Sequence, residues 1–574
     1  MEASGTDRML RVVILSGAAP RLVARLVAQI HRDVPEARVC GILYHTLKSP
    51  GIPKRIRNFL ENLPQSGYVG YVARRILTVP RSAIQALGRW GLRFLHASFP
   101  RSRAFGWSEL QAYCRAQGCT LSITSDVHAA ESLEYVRGLR PDLGIVFGTP
   151  ILKPMLFEIP RLGSINLHQR KVPDYRGSGP IGLWEMLDGQ KEIGVTVHRV
   201  LQKLDAGGVI RSTTIPIEPF DTIRSLGMKA HVVGIDLLTE SVADFARGTV
   251  HERPQVGPSR MFRQPREGQL RRLIAQVDRK RQAFVPERGW PLWKLVARCL
   301  MLGPAAALRN WYRRLTGSFP IVVLYHHVVT DRPHFMGMST DAFLRQLDYL
   351  HRYYQVVDLE TAHAMLRSGK VSAPTVVLTF DDGYKDNDLS LRAASLHADV
   401  PATLFICSQR IDAQERFDHD LIRGHDGFPP LTWDEIRDLE SYGFHVGAHT
   451  RTHFDCGSTD PALLEDELVG ARREIEDHLG HPVEWFSFPT GNPRNMSRPA
   501  IELARRTYPH VCSAYGGVNW AGQPGAAWHV FRCPHPSSLL ELELLLQSIL
   551  VLGQPPLWEG GDQPIADCGL RNTE

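Results

Sequence analysis

Two groups of residues have types and spacing that could do chemistry. Asn166 and His168 stand two apart at the end of the apolar run Ile165–Leu167. On an extended strand, side chains two apart point the same way. Asp205 follows the strand-like VTVHRV and precedes the pair Gly207–Gly208, which permits a tight turn. An amide donor, an imidazole and a carboxylate brought together can run acyl transfer to an amine. The donors stabilise the oxyanion of the tetrahedral intermediate, and the carboxylate orients the imidazole or accepts the amine proton. Taken alone, Asn-x-His also describes an ordinary polar strand end.

In the second half, Thr379-Phe380-Asp381-Asp382-Gly383 ends a β-branched run with two adjacent carboxylates. Sixty-seven residues after Asp382 comes His449-Thr-Arg-Thr-His453. Two imidazoles four apart can face one metal from a helical turn or a tight loop. With one Asp they make a His–His–Asp set that leaves positions open for water and a substrate oxygen, while the other Asp serves as general base. Asp-Asp-Gly alone is also a turn, and 24 histidines make chance pairs common; together, each at a strand or turn end, the two are harder to obtain by accident.

The elements that must position these groups are α/β in both halves. RVVILSG at 11–17, VCGILYH at 39–45, TLSIT at 120–124 and LGIVFGT at 143–149 read as strands, with helices following the first and spanning 129–139. The βαβ opening predicts a parallel sheet with a ligand edge at the strand ends. No Gly-x-Gly-x-x-Gly follows the first strand, so a dinucleotide site is not supported. A second α/β pattern begins at PIVVLYHHV (320–328) and continues with TVVLTF (375–380) and ATLFIC (402–407). LRQLDYLHRYY and LTWDEIRDLESYG read as amphipathic helices.

The first block resembles the folate-dependent formyltransferase family. The resemblance rests on Asn166-Leu-His168, Pro173-Asp-Tyr175-Arg176-Gly177, Leu204-Asp205-Ala206-Gly207 and the preceding RPDLGIVFGTPIL at 140–152. It covers about residues 10–250 without 47–104. It implies a Rossmann-like sheet, 10-formyltetrahydrofolate as donor, an amine as acceptor, Asn166, His168 and Asp205 as catalytic groups, and Pro173, Tyr175, Arg176 and Gly177 beside the cofactor. Gln169-Arg170-Lys171-Val172 stands where relatives have a Leu-rich stretch, so the acceptor stays open. The family acts on initiator tRNA, a purine precursor and nucleotide-linked amino sugars. Here the basic linker runs straight into a second enzyme-like domain, which favours the sugar.

The second block resembles the polysaccharide deacetylase (NodB-like) family over about 320–550. That implies a distorted (β/α) barrel, a divalent metal (zinc is expected) and hydrolysis of an N-acyl amide on a sugar. Asp381 would be the base, and Asp382, His449 and His453 the ligands. WFSFPTGNP at 485–493 falls at the family's third motif, but Ser487 replaces the common Arg and Thr490 an aromatic residue. His535 is the candidate general acid and Arg532 a candidate partner of Asp381, although either also fits a structural role. His326 and His327 end the first barrel strand and are expected behind the metal ligands.

The chain has 574 residues, too long for one ordinary core, and its 43% hydrophobic and 22% charged residues are globular composition. Nine scattered cysteines without C-x-x-C spacing fit reduced thiols. With no secretory pattern at the start and a folate donor, a cytoplasmic location is expected. No apolar run reaches the roughly 18 residues a bilayer span needs. The net charge of +7 is uneven: residues 47–104 carry +10 and 251–314 carry +11, leaving −14 elsewhere. A uniformly basic nucleic-acid binder would not look like this, so no nucleic-acid partner is expected. In 289–315, Leu292, Trp293, Val296, Ala297, Leu300 and Met301 recur at helical steps with Lys294 and Arg298 between them. Such a helix fits peripheral contact at the inner face of a membrane, or packing on its own domains.

The expected organisation is a formyltransferase-like domain at 8–250 with a basic insertion at 47–104, a basic linker at 251–319 and a deacetylase-like domain at 320–555. The expected function is N-formylation of an amino sugar, nucleotide- or lipid-linked, joined to metal-dependent N-deacetylation. The alternatives are a deformylase acting after transfer, or a catalytically weak carbohydrate-binding domain in the second half.

Overall fold

The computed structural model describes residues 9–46, 106–281, 291–514, 516–523, 528–536 and 538–548. The basic insertion at 47–104 lies outside the described residues, as do the first residues of the 289–315 segment and the end of the second domain. The described residues fall into two compact units.

The first unit is built on strands β1 (Leu10–Ser16), β2 (Ala37–His45), β3 (Thr120–Thr124), β4 (Leu143–Phe147), β5 (Ser164–His168), β7 (Glu192–Arg199) and β8 (Val209–Pro216). Short β6 (Arg176–Gly177) and β9 (Met261–Phe262) pair with each other. The large sheet has the order β3-β2-β1-β4-β5-β7-β8. Its first five strands are parallel, and β7 and β8 close it as antiparallel strands. The run 3-2-1-4-5 is that of a doubly wound sheet, whose order reverses beside β1. Val12, Val13, Ile14 and Leu15 are all buried, which is why a continuous β-branched run rather than an alternating one marks the central strand. The helix Pro20–Asp33 starts with Pro at its first position and buries Leu22, Val23, Leu26, Val27 and Ile30 on one stripe.

Part of the expected linker belongs to this unit. Phe262 of β9 stacks on Tyr175 and on Trp184, with ring centroids 5.4 and 5.0 Å apart. Helix Glu267–Lys280 packs on helix Leu183–Leu187. One aromatic residue in a basic stretch, Phe262, thus ties it to the domain before it.

The second unit holds β10 (Ile321–His326), β11 (Val328–Val329), β12 (Gly337–Met338), β13 (Gln355–Val357), β14 (Thr375–Phe380), β15 (Ala402–Ile406), β16 (His445–Ala448), β17 (Trp485–Ser487), β18 (His510–Ser513) and β19 (His529–Pro534). Seven of them close a parallel barrel in the order β10-β14-β15-β16-β17-β18-β19 and back to β10. The distortion is visible in the register. One edge of β14 is shared, with Thr375–Val377 pairing to β13 and Leu378–Phe380 to β15. The barrel seam is therefore open at its lower end and wedged by β13. Ile321, Val323, Val377, Phe405, Trp485, Cys512 and Val530, from six of the seven strands, form one buried apolar cluster. Two residues further along several of these strands the inward residues become polar: Thr379, Ser487 and Arg532. The C-terminal end of the barrel is thus where chemistry can sit.

Helix Thr340–Tyr353 covers the barrel with fully buried Phe343, whose ring lies 5.7 Å from Phe380 and 5.6 Å from His326. Phe343→Ala is expected to cost about 3–5 kcal/mol, whereas Tyr312→Ala, at an exposed position, should stay within about 0.5 kcal/mol. Urea titration followed by near-ultraviolet circular dichroism measures both.

Candidate functional sites

The structure brings Asn166, His168 and Asp205 together at the C-terminal end of β5. They line a cavity of about 440 Å³ with Gly177, His198 and Leu204. His168 Nε2 donates to the Tyr175 carbonyl at 2.7 Å, since a carbonyl can only accept. Its Nδ1 faces Asp205 Oδ1 at 3.7 Å, longer than a hydrogen bond. Burial lowers the His168 pKa, with Asp205 pulling the other way. The neutral ring thus keeps a lone pair at Nδ1, able to take a proton beside a carboxylate that would stabilise the resulting cation.

Asp205 sits in the left-handed region, φ 49°. Burial would raise its carboxyl, but His198, His168 and the Gly177 N–H more than offset that and hold it at about 2. The Gly177 N–H donates to Oδ2 at 2.9 Å.

His198, on β7, was not singled out from the sequence. Its Nδ1 donates to the Arg199 carbonyl at 2.8 Å, so Nε2 is left as an acceptor and takes the Asn166 amide N–H at 3.1 Å. This fixes which end of the Asn166 amide points where. The antiparallel pairing that sets Asn166 opposite His198 is the signal, and it becomes available only once β5 and β7 are known to be neighbours.

Of the four residues expected beside the cofactor, Gly177 lines the cavity. Arg176 is held by Gln255 and Ser259, and Tyr175 donates to Asp188 at 2.9 Å. Pro173 accepts the Arg260 N–H through its carbonyl, so it helps seat the strand pair β6–β9. The unusual Gln169–Val172 stretch has a structural account. Arg170 is buried and donates to the Ser178 and Pro180 carbonyls at 3.3 and 2.9 Å, while Gln169 reaches His231 at 2.6 Å.

At the mouth of the barrel, Asp381, Asp382, His449 and His453 converge. Asp381 is gripped by Arg532, Nη1 to Oδ1 at 2.6 Å and Nη2 to Oδ2 at 2.9 Å. The guanidinium also donates to Thr379 Oγ1 at 3.0 Å and Ser487 Oγ at 2.5 Å. Burial raises the Asp381 carboxyl, and Arg532 outweighs it, so the pKa falls below the usual value. This gives Ser487 a role: the guanidinium enters from β19, and the small hydroxyl accepts from it.

Asp382 is the opposite case. It is 1% exposed, and neither of its oxygens meets a hydrogen-bond partner among the described residues. Burial, then the charges of Asp381 and Asp420, push its carboxyl well above the usual range. His453 Nε2 and His449 Nε2 face its Oδ1 at 3.4 and 3.6 Å. His449 Nδ1 donates to the Ser487 carbonyl at 2.7 Å, turning the Nε2 lone pair toward Asp382. Burial pushes His449 down to about 4 and His453 well below its ordinary value, so both rings are neutral at neutral pH. An orphaned carboxylate facing two neutral imidazoles fits a divalent cation. The loop is tight rather than helical, with Asp382, Thr450 and His453 at φ 71°, 62° and 66°. Thr450 Oγ1 accepts the Phe454 N–H at 2.9 Å, which closes it.

His535 reaches the same rim, where its ring stacks on His326 at 4.9 Å and its N–H donates to the Tyr325 carbonyl at 3.0 Å. Burial pushes it to about 4. His327 is pushed to about 3 by burial, with Asp381 opposing. Sequence reasoning missed His419, from helix Asp418–Ile422 between β15 and β16. Its Nε2 pairs with the Tyr384 hydroxyl at 2.8 Å and lies 3.9 Å from Asp382. Its spacing to the metal triad matches no motif, and only the fold of the connecting segment brings it in.

With this geometry in place, two matches to known families decide the chain's architecture. A formyl transferase family model matches residues 111–242, and a polysaccharide deacetylase family model matches residues 368–508. The chain joins a formyltransferase domain to a polysaccharide deacetylase domain. Both domains are enzymatic. Curated relatives include a methionyl-tRNA formyltransferase of Macrococcus caseolyticus, 42% identical over 127 residues, or 22% of this chain and 40% of that protein. One from Staphylococcus aureus is 34% identical over 169 residues, or 29% of this chain and 52% of its own length. The chain thus spans about half or less of the curated relatives it matches. Among solved structures, a polysaccharide deacetylase from Bacillus cereus is 20% identical with a TM-score of 0.33, covering 40% of this chain and 69% of that one. A sugar N-formyltransferase from Shewanella is 14% identical with a TM-score of 0.28, covering 45% and 77%. Likenesses this distant decide nothing about substrate.

Two outcomes follow from the geometry. Because burial lowers the His168 pKa, the base form persists below the ordinary histidine value, and formyl transfer should be lost only as pH falls below about 6.5. His168→Ala should lose about 100-fold or more in kcat, and a kcat/KM–pH profile with and without the substitution tests both. At the barrel, Asp381→Asn should keep the metal and lose hydrolysis, whereas Asp382→Asn should lose the metal; elemental analysis of the purified variants separates them.

Proposed function

We propose that the chain transfers a formyl group from 10-formyltetrahydrofolate to the amine of a sugar, and hydrolyses an N-acyl amide, expected to be N-acetyl, on a sugar with the help of a divalent cation. The observation that supports this reading is the pairing in one chain of a formyl transferase match around Asn166, His168 and Asp205 with a polysaccharide deacetylase match around Asp382, His449 and His453. Exchange of acetyl for formyl on one sugar is the simplest chemistry that uses both.

At the first site, the amine attacks the formyl carbon, and the oxyanion is stabilised by the Asn166 amide, which His198 holds in place. The proton shed by the amine goes to His168 Nδ1, and Asp205 stabilises the imidazolium. The C–N bond to the folate nitrogen then breaks as that nitrogen takes up a proton. At the second site, Asp382, His449 and His453 would hold the cation, zinc by the chemistry of the donor set, which when bound would polarise the amide carbonyl and acidify water. Asp381, kept ionised by Arg532, accepts a proton from the attacking water, and that proton passes to the leaving amine, with His535 proposed as its carrier.

A second reading has its own support: the curated relatives carry the name methionyl-tRNA formyltransferase, so the acceptor would be methionyl-tRNA. Mass spectrometry decides between them. The full chain is incubated with formyl donor and metal, and with panels of aminosugars, N-acetylaminosugars and methionyl-tRNA. Gain of a formyl group on a sugar and loss of an acetyl group from one support the first reading; formylation of the tRNA alone overturns it. A chelator is expected to abolish the hydrolysis and spare formyl transfer, and loss of both together would count against separate sites.

A further inference from the structure

Helix Leu292–Thr316 presents two apolar faces, and among the described residues of the second unit one of them is covered. Leu295, Cys299 and Ala306 are buried against Leu544 of helix Leu539–Leu546, and Asn310 donates to Gln547 Oε1 at 2.7 Å. The face singled out in the sequence through Trp293, Leu300 and Met301 is the other one. It continues down the helix, where Trp293, Met301, Leu308, Trp311, Tyr312 and Leu315 are each at least 60% exposed. Steps of three, four, seven and eight residues put them on one side. An apolar ridge running the length of a 25-residue helix is more than scattered surface hydrophobics.

Charge says what it fits. Pro291–Thr316 holds five Lys or Arg and no Asp or Glu. Arg309 and Arg313 turn inward, to the Gln547 carbonyl and over the Trp520 ring at 4.9 Å. Lys294 and Arg314 are exposed near the two ends of the ridge, Lys294 beside the Trp293 ring at 5.5 Å. The order along the ridge is therefore cation and Trp, then Leu and Met, then Trp, Tyr and cation. A helix lying flat in a bilayer interface needs one apolar side along its length and cations flanking it, and this face supplies both. No helix among the described residues is long and apolar enough to cross a membrane.

We propose that the Trp293–Leu315 face docks the protein onto an anionic lipid bilayer. The proposal stands apart from the identity of either substrate, because it concerns a surface that neither site uses.

Flotation of the full chain with vesicles tests it. The protein should co-float with phosphatidylcholine vesicles containing about a third phosphatidylglycerol at low salt, bind pure phosphatidylcholine poorly, and lose binding as salt rises. Trp293→Glu with Trp311→Glu should weaken binding to the anionic vesicles about tenfold or more, and an unchanged circular dichroism spectrum and melting temperature show that the variant is folded. Failure of the wild type to float with anionic vesicles at low salt overturns the proposal. So does flotation that the double substitution leaves intact. A wild-type dimer that the same substitutions dissociate, without vesicle binding, would assign the face to a second copy of the chain and overturn it as well.

Discussion

A carboxylate taken out of water must be matched by charge or hydrogen bonds, or it will not stay ionised. Both sites are solutions to that constraint. Asp205 is matched by the Gly177 N–H, with the His168 and His198 rings beside it at 3.7 and 3.6 Å, and Asp381 by a bidentate guanidinium. Asp382 has no hydrogen-bond partner among the described residues. Adjacent in sequence, Asp381 and Asp382 turn to different partners because one faces the barrel axis, where Arg532 arrives, and the other the loop that carries His449 and His453. One carboxyl is thereby held below its usual pKa while that of its neighbour is pushed well above it. The barrel earns its polar mouth from the same arrangement, since Arg532 ties β19, β14 and β17 together through Asp381, Thr379 and Ser487.

The two units reach their chemistry by different routes. In the first, a parallel sheet turns antiparallel at β7, and that reversal lays His198 across Asn166. In the second, all seven barrel strands run one way, and the functional groups come from their ends and from the segments that follow. Neither fold dictates a reaction; the grafted side chains do.

Much of this was legible in the sequence, for physical reasons that differ by element. Strands buried on both faces are unbroken apolar runs, so β1, β4 and β14 could be read almost to the residue. Local motifs such as Asp381-Asp382 and His449-x-x-x-His453 survive because the ligands come from two short stretches. Groups brought in by long connections were not legible: His198 depends on an antiparallel register, and His419 on the path between β15 and β16. The Arg532–Asp381 pair could be named only as a candidate, because 151 residues separate its partners and nothing local distinguishes a structural arginine from this one. The helix after Pro291 shows a further limit. Its sequence has an apolar side on nearly every heading, and periodicity alone does not say which one the barrel takes.

The left-handed backbone at Thr450 and His453 has an evolutionary consequence. A non-glycine residue held there, and a β-branched one above all, costs about 1–3 kcal/mol that glycine would not. Thr450 offsets part of this by accepting the Phe454 N–H, whereas selection for folding alone would favour glycine at 453. A copy of the gene released from its metabolic task should drift at His453 first, and the protein it encodes could melt at a higher temperature than its working ancestor.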